Sequence, residues 1–398
     1  MKKNFKLGLL PQVLVAITLG ILLGDVLPDW CVRIFITFND IFSQLLSFLV
    51  PLIILGMVAP AIADMGKKAG KMLLITVGIA YGATLLSGIM AYGTAISTFP
   101  LIVDASQATK GMAEGSSLTS YFQLTIPPLM SVMTALFLAF LLGLGNAKIK
   151  GGNLKRILDE FKDIISLAIE KVIIPLLPLH ILGIFLNITD SGQIASMLTL
   201  FIKIIGIIFA LHVVVLLLQY TVAGIVTRRN PFKLLFNMLP AYFTALGTQS
   251  SAATIPVTLK QTLKNKVDEE VADFVIPLCA TIHLSGSTLK IVACAIALMM
   301  MHGNPVIPSE MFYFICMLGV VMVAAPGVPG GAIMASISVL QSILGFNESQ
   351  IALMIALYIT MDNFGTACNV TGDGAIALII DKIYKSKKKI SRRIRCKI

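Results

Sequence analysis

An all-α polytopic membrane protein is predicted by three observations: the composition, the lengths of the apolar runs and the alternation of charge between loops. Of the 398 residues 57% are hydrophobic and only 13% charged, and the mean hydropathy is +0.91; a soluble domain is about half apolar and a quarter charged. Apolar runs near the ~20 residues needed to cross a bilayer lie at 7–28, 42–62, 72–98, 126–146, 164–187, 195–226, 271–301 and 350–380, giving eight expected spans. Of the 31 Lys and Arg residues, 26 fall in the N-terminus, residues 67–71, 148–162, 228–233, 260–266 and the tail from Lys382. These are alternate loops, so the positive-inside rule puts both termini in the cytoplasm.

The elements follow in chain order. Lys2, Lys3 and Lys6 precede the first apolar run as in a signal peptide, but no small-residue cleavage site follows, so it is expected to be retained as a span. The formal net charge of +11 is accounted for by topology, and the basic tail Lys385 to Lys397 reads as a retention and headgroup-binding signal. No aromatic or Gly-rich recognition pattern accompanies the charge, which excludes a nucleic-acid binder. The six cysteines are scattered, with no close CxxC pair, and argue for neither disulfides nor a soft-ligand metal site.

Two stretches are too short in each half to cross and are expected to enter and return. Residues 231–262 have apolar halves around Thr248-Gln-Ser-Ser-Ala-Ala-Thr254, with Lys233 and Lys260 both on the cytoplasmic side. Residues 309–346 repeat the design from the outer face around Pro326-Gly-Val-Pro-Gly-Gly331. Each hairpin is followed by a span with a polar, glycine-containing interruption: His283-Leu-Ser-Gly-Ser287, then Met361 to Asp373. Opposite entry of two hairpin-plus-span units is the pattern of inverted repeats in secondary transporters, whose sites lie near the bilayer midplane.

The last span carries the strongest chemistry. Asp362, Thr366, Asn369 and Asp373 stand at offsets of 0, 4, 7 and 11, one face of an α-helix. A carboxylate at mid-membrane costs about 2.5–3.5 kcal/mol on insertion scales, so two of them demand polar or cationic partners. Three turns of helix, about 16 Å, separate Asp362 from Asp373, too far for an aspartyl catalytic dyad. An enzyme is therefore not expected, and nothing in the sequence signals a separate channel pore.

At these residues the chain resembles the dicarboxylate/amino acid:cation symporters, the family of the glutamate and neutral amino acid transporters. The motifs that carry the resemblance are Thr248-Gln-Ser-Ser-Ala-Ala-Thr-Ile-Pro256, Pro277-Leu-Cys-Ala-Thr-Ile-His-Leu-Ser-Gly-Ser287, Gly327-Val-Pro-Gly-Gly331 and Asn369-Val-Thr-Gly-Asp373. It implies the glutamate-transporter-homologue fold of eight transmembrane helices plus two re-entrant hairpins, assembled as a homotrimer in a bacterial inner membrane. Residues 1–62 and 120–190 would form the trimerisation scaffold, 66–100 and 195–384 the moving transport domain, and 385–398 the cytoplasmic tail. By the same resemblance Asp362 receives a substrate amine, while Asn369 with Ser250 and Ser251 holds its α-carboxylate. Thr366, Ser287 and Val328 line the pocket. Asp373, Asn369 and carbonyls at Cys279 and His283 would coordinate one sodium ion, with a second near Thr281 and the second hairpin tip; oxygen donors suit this hard cation.

Three departures bear on specificity. Acidic-substrate carriers of the family place an arginine three residues after the amine-binding aspartate, where this chain has Gly365. A substrate side-chain carboxylate would then be buried unpaired, so a sodium-coupled symporter of small neutral amino acids (serine, threonine, alanine) is expected. Asp362 also argues against amine-free dicarboxylates. The family's third-sodium aspartate is Ser285 here, with Lys290 five residues on as a fixed positive charge. Were Lys290 to reach the substrate in place of the arginine, acidic amino acids or dicarboxylates, coupled to sodium or protons, would be the alternative. His283 replaces an asparagine and brings a group able to titrate near neutral pH.

Overall fold

A computed structural model of the chain describes residues 9–24, 26–67, 71–102, 118–149, 152–190, 194–323, 325 and 330–395. Among them there is no strand: the chain is helical, with several apolar helices long enough to cross a membrane, as in a multi-pass membrane protein. The helices are α1 (Leu9–Gly24), α2 (Asp29–Lys67), α3 (Lys71–Thr98), α4 (Val132–Lys148), α5 (Asn153–Ala168), α6 (Ile174–Asp190), α7 (Ile194–Thr227), α8 (Pro231–Thr248), α9 (Ser251–Lys264), α10 (Glu269–Ile282), α11 (Ser285–Met301), α12 (Pro308–Met322), α13 (Gly331–Leu344), α14 (Glu348–Thr360) and α15 (Asp362–Arg395). A π-helical turn, Ile169–Ile173, joins α5 to α6.

Five runs meet the length and hydropathy of a span: Asp29–Pro60, Met72–Leu101, Asn153–Asn187, Phe201–Thr227 and Glu269–Met301. A sixth is the pair α14 and α15, bent by 63° at Met361. The expected boundaries differ at several ends: the fifth span begins at Asn153 rather than 164, the last helix runs to Arg395 rather than 380, and α2 and α4 also start elsewhere. α2 begins at Asp29 rather than 42, because the stretch from Trp30 to Phe38 is itself largely apolar, and it runs through Pro51 and Pro60; neighbouring helices re-satisfy the backbone that a buried proline frees. α4 begins at Val132 rather than 126, because Pro127 and Pro128 lack N–H groups and Ser131 caps the helix by accepting from the Thr134 N–H. The segment before it is held on α2, where Arg33 donates to the Thr119 carbonyl at 2.9 Å and the Tyr121 N–H to the Thr37 hydroxyl at 2.9 Å.

α8 and α9 form an antiparallel hairpin. Asn230 caps α8 and Pro231 opens it; the helix ends at Gln249 in the left-handed region (φ 53°), and Ser250 caps α9. The two open ends are stitched together by Asn265, whose amide donates to the Leu234 carbonyl at 2.9 Å and accepts from Asn237 at 2.8 Å. α12 and α13 also pack on each other, and the expected tip between them, Pro326 to Pro329, lies outside the described residues.

α1, α2, α4, α5 and α6 pack together, α2 against α4 and α1 against α6. The longest buried run is α10–α11, wrapped by α3, α7 and α15; 94% of its spanning window is buried. Every residue of α11 except Met300 is buried, and Lys290 lies in its middle with no exposed surface. A charged group is almost never found there unless paired, so the centre of this helix is where polar chemistry concentrates.

Candidate functional site

Two helix breaks bring backbone groups to the middle of the molecule. Between α10 and α11, His283 and Leu284 leave helical geometry, so the first N–H groups of α11 have no partner within their own helix. Asn369 of α15 satisfies them from outside: its Oδ1 accepts from the Gly286 N–H at 2.8 Å and the Ser287 N–H at 3.4 Å. Its Nδ2 donates to the Ser287 hydroxyl at 3.0 Å, which also accepts from the Tyr358 hydroxyl at 3.0 Å. From α7, His212 Nε2 stands 3.1 Å from the Gly286 carbonyl. Asn369 and Ser287, expected together, are together. Tyr358 and His212 complete the group.

The second cluster surrounds Asp362, the first residue of α15. Lys290 Nζ donates to Asp362 Oδ1 at 3.1 Å and to the Met361 carbonyl at 3.4 Å, and lies 3.6 Å from the centre of the Tyr358 ring. The other carboxylate oxygen accepts from the Gly330 N–H at 2.8 Å, at the start of α13. Gly330 has φ +75°, a backbone open to glycine at little strain, which aims that N–H inward. Asp362 is thus held by an ammonium and by a helix N-terminus, both of which stabilise a carboxylate.

Gly365 belongs to the same cluster. A Cβ added there would lie 2.5 Å from Lys290 Cε and 2.6 Å from its Nζ. The volume next to residue 365 is filled by the lysine of another helix. The ammonium beside Gly365 is the one that also lies 3.1 Å from Asp362 Oδ1.

The third cluster joins Asp373 to the α10–α11 break. Asp373 Oδ1 lies 2.9 Å from His283 Nδ1, both side chains fully buried. Behind them Gln219 of α7 donates to the Ser285 hydroxyl at 3.2 Å and stands 3.4 Å from His283 Nε2, while its Oε1 has no partner among the described residues. The Tyr220 hydroxyl donates to the Thr371 carbonyl at 2.7 Å, fixing α15 two residues before Asp373. Ser285 therefore faces Gln219 while the Lys290 ammonium faces Asp362.

The remaining expected residues are less tightly joined. The Ser250 side chain caps α9 and Ser251 is buried at its start. α8 and α9 pack on α15, but no hydrogen bond between this tip and Asn369 is among those described. Thr366 is buried one turn from Asp362. The Cys279 carbonyl accepts from the His283 N–H at 2.9 Å, and the Thr281 hydroxyl, on an exposed residue, donates to the Leu278 carbonyl at 2.8 Å. Val328 lies outside the described residues. Sequence reasoning missed Tyr358, Gln219 and Tyr220, whose one signal is a polar atom within an otherwise apolar run.

Residues 9–383 match the model of the sodium:dicarboxylate symporter family. Excitatory amino acid transporter 1 of Rattus norvegicus is 30% identical over 252 residues, 62% of this chain and 46% of that protein. The Ambystoma tigrinum protein of the same name is 31% identical over 253 residues, 62% and 46% of the two chains. Excitatory amino acid transporter 2 of Homo sapiens is 28% identical over 260 residues, 63% and 44%. The match spans about half the length of these relatives. With residues 9–383 inside the family model, the chain belongs to the sodium:dicarboxylate symporter family.

Proposed function

We propose that the chain is a sodium-coupled secondary transporter that carries an amino acid by alternating access, and that Lys290 supplies the cation for a substrate side-chain carboxylate. The observation that carries the substrate assignment is the Lys290 ammonium against Gly365. Asp362 would take the substrate amine, Lys290 the side-chain carboxylate, and Asn369 with Ser287 and the α8–α9 tip the α-carboxylate. Asp373, with carbonyls at Cys279 and His283, would hold a co-transported sodium ion, and a second would sit near Thr281 beneath the α12–α13 tip. Membership in the family and the relatives named as excitatory amino acid transporters support both the coupling and an acidic substrate.

The same proposal extends to architecture. Eight spans and two re-entrant hairpins would be arranged as a scaffold (1–62 and 120–190) around a transport domain (66–100 and 195–384), with three copies meeting through their scaffolds. The packing of α1, α2, α4, α5 and α6 on one another and the antiparallel α8–α9 hairpin support it.

A neutral substrate is favoured by one observation: Lys290 and Asp362 already neutralise each other at 3.1 Å, so a zwitterion enters with no charge left over. Uptake of labelled aspartate, serine, threonine and alanine into proteoliposomes decides both coupling and class. An inward sodium gradient is expected to drive accumulation at least about tenfold above the gradient-free rate. Equal uptake with and without the gradient would refute the symport.

A further inference from the structure

We infer that Lys290 is a partner-switching cation that lets the unloaded carrier return, a role that rests on the transport function proposed above. A symporter must reorient twice per cycle, once loaded and once after release. In the loaded form Asp362 faces the substrate amine. On release that amine leaves, and a buried carboxylate without a partner opposes movement through the low-dielectric core.

The chain carries its own replacement. The Lys290 ammonium is 3.1 Å from Asp362 Oδ1, entirely buried on the most enclosed helix, and the Gly330 N–H meets the other oxygen at 2.8 Å. The two contacts differ in kind. The lysine neutralises the charge, while the Gly330 N–H at the start of α13 donates a hydrogen bond to the carboxylate. The Tyr358 ring, 3.6 Å from Nζ, and the Met361 carbonyl at 3.4 Å hold the ammonium between Asp362 and Gly365. From this one position, adjacent to both, Lys290 would pair with the substrate carboxylate when loaded and with Asp362 when empty. No counter-transported cation is needed for the return.

The test compares net uptake with homo-exchange in proteoliposomes, since exchange omits the unloaded return. In the wild type, replacing internal potassium by choline is expected to leave sodium-driven net uptake within about twofold. Lys290→Met is expected to lower the ratio of net uptake to exchange, both at saturating substrate, by at least about tenfold, and Lys290→Arg to keep it within about threefold. Because both rates require binding, weaker affinity alone does not move the ratio. A wild-type requirement for an internal cation in net uptake but not in exchange would overturn the inference, as would an unchanged ratio in Lys290→Met. Either result leaves the transport function standing. Absence of both uptake and exchange in the wild type would instead refute that function, and this role with it.

Discussion

Gly365→Arg and Lys290→Met, each made alone, are expected to cut sodium-driven aspartate uptake by at least about tenfold, and the double variant to recover to within about threefold of wild type. The first substitution inserts a second cation where a Cβ already meets Lys290 Cε at 2.5 Å, so it fails by crowding and by like-charge repulsion. The second leaves Asp362 buried without its charged partner, and breaking a buried pair in this way costs about 3–5 kcal/mol. Together they move the positive charge from α11 to α15 without changing its number. Uptake rates in proteoliposomes, normalised to reconstituted protein, give the coupling between the two sites. Additive losses in the double variant would show that Lys290 and residue 365 do not share one function.

Asp373→Asn is expected to raise the sodium concentration for half-maximal uptake at least about tenfold, through loss of the charge proposed to hold the ion. His283→Asn is expected to be milder, within about threefold, because an amide keeps a hydrogen bond to Asp373 within reach and the backbone carbonyl is unchanged. His283→Leu removes the 2.9 Å partner of a fully buried carboxylate and should lower thermal stability in detergent as well as uptake. Sodium titrations of uptake and melting curves of the three purified variants check this. An unaltered sodium dependence in Asp373→Asn would exclude Asp373 from the ion site.

Much of this arrangement is legible in the sequence, and what is not has a physical reason. The period of Asp362, Thr366, Asn369 and Asp373 survives intact on α15, because helical offsets are local and packing does not change them. The short apolar halves of residues 231–262 announce the α8–α9 hairpin, since neither half is long enough to cross alone. The interruption at His283–Leu284 is visible from its polar residues. Lys290 is different. It meets Asp362 across 72 positions of sequence, and a lone lysine in a span is equally compatible with snorkelling to the interface. Gly365 is only half legible for the same reason: a missing side chain is apparent in one helix, but which neighbour fills its space is a property of helix packing. Tyr358 was hidden as one more aromatic in an apolar run, and its role emerges only from the Ser287 hydroxyl and the Lys290 ammonium on either side of it.

The fourth span shows a smaller version of this limit. Apolar content alone starts it at 126, whereas Pro127, Pro128 and the capping hydroxyl of Ser131 delay the helix to Val132. Backbone chemistry outranks hydropathy at helix ends.

The central claim, that Lys290 takes over the role of a missing arginine, is tested most directly by the selectivity of the unaltered protein. Under an inward sodium gradient, labelled aspartate and alanine are compared in proteoliposomes. Aspartate is expected to be preferred in kcat/KM by at least about tenfold, the discrimination one buried carboxylate–ammonium pair readily supplies. Equal rates, or a preference for alanine, would contradict the account and return the specificity to a neutral substrate held by Asp362 alone.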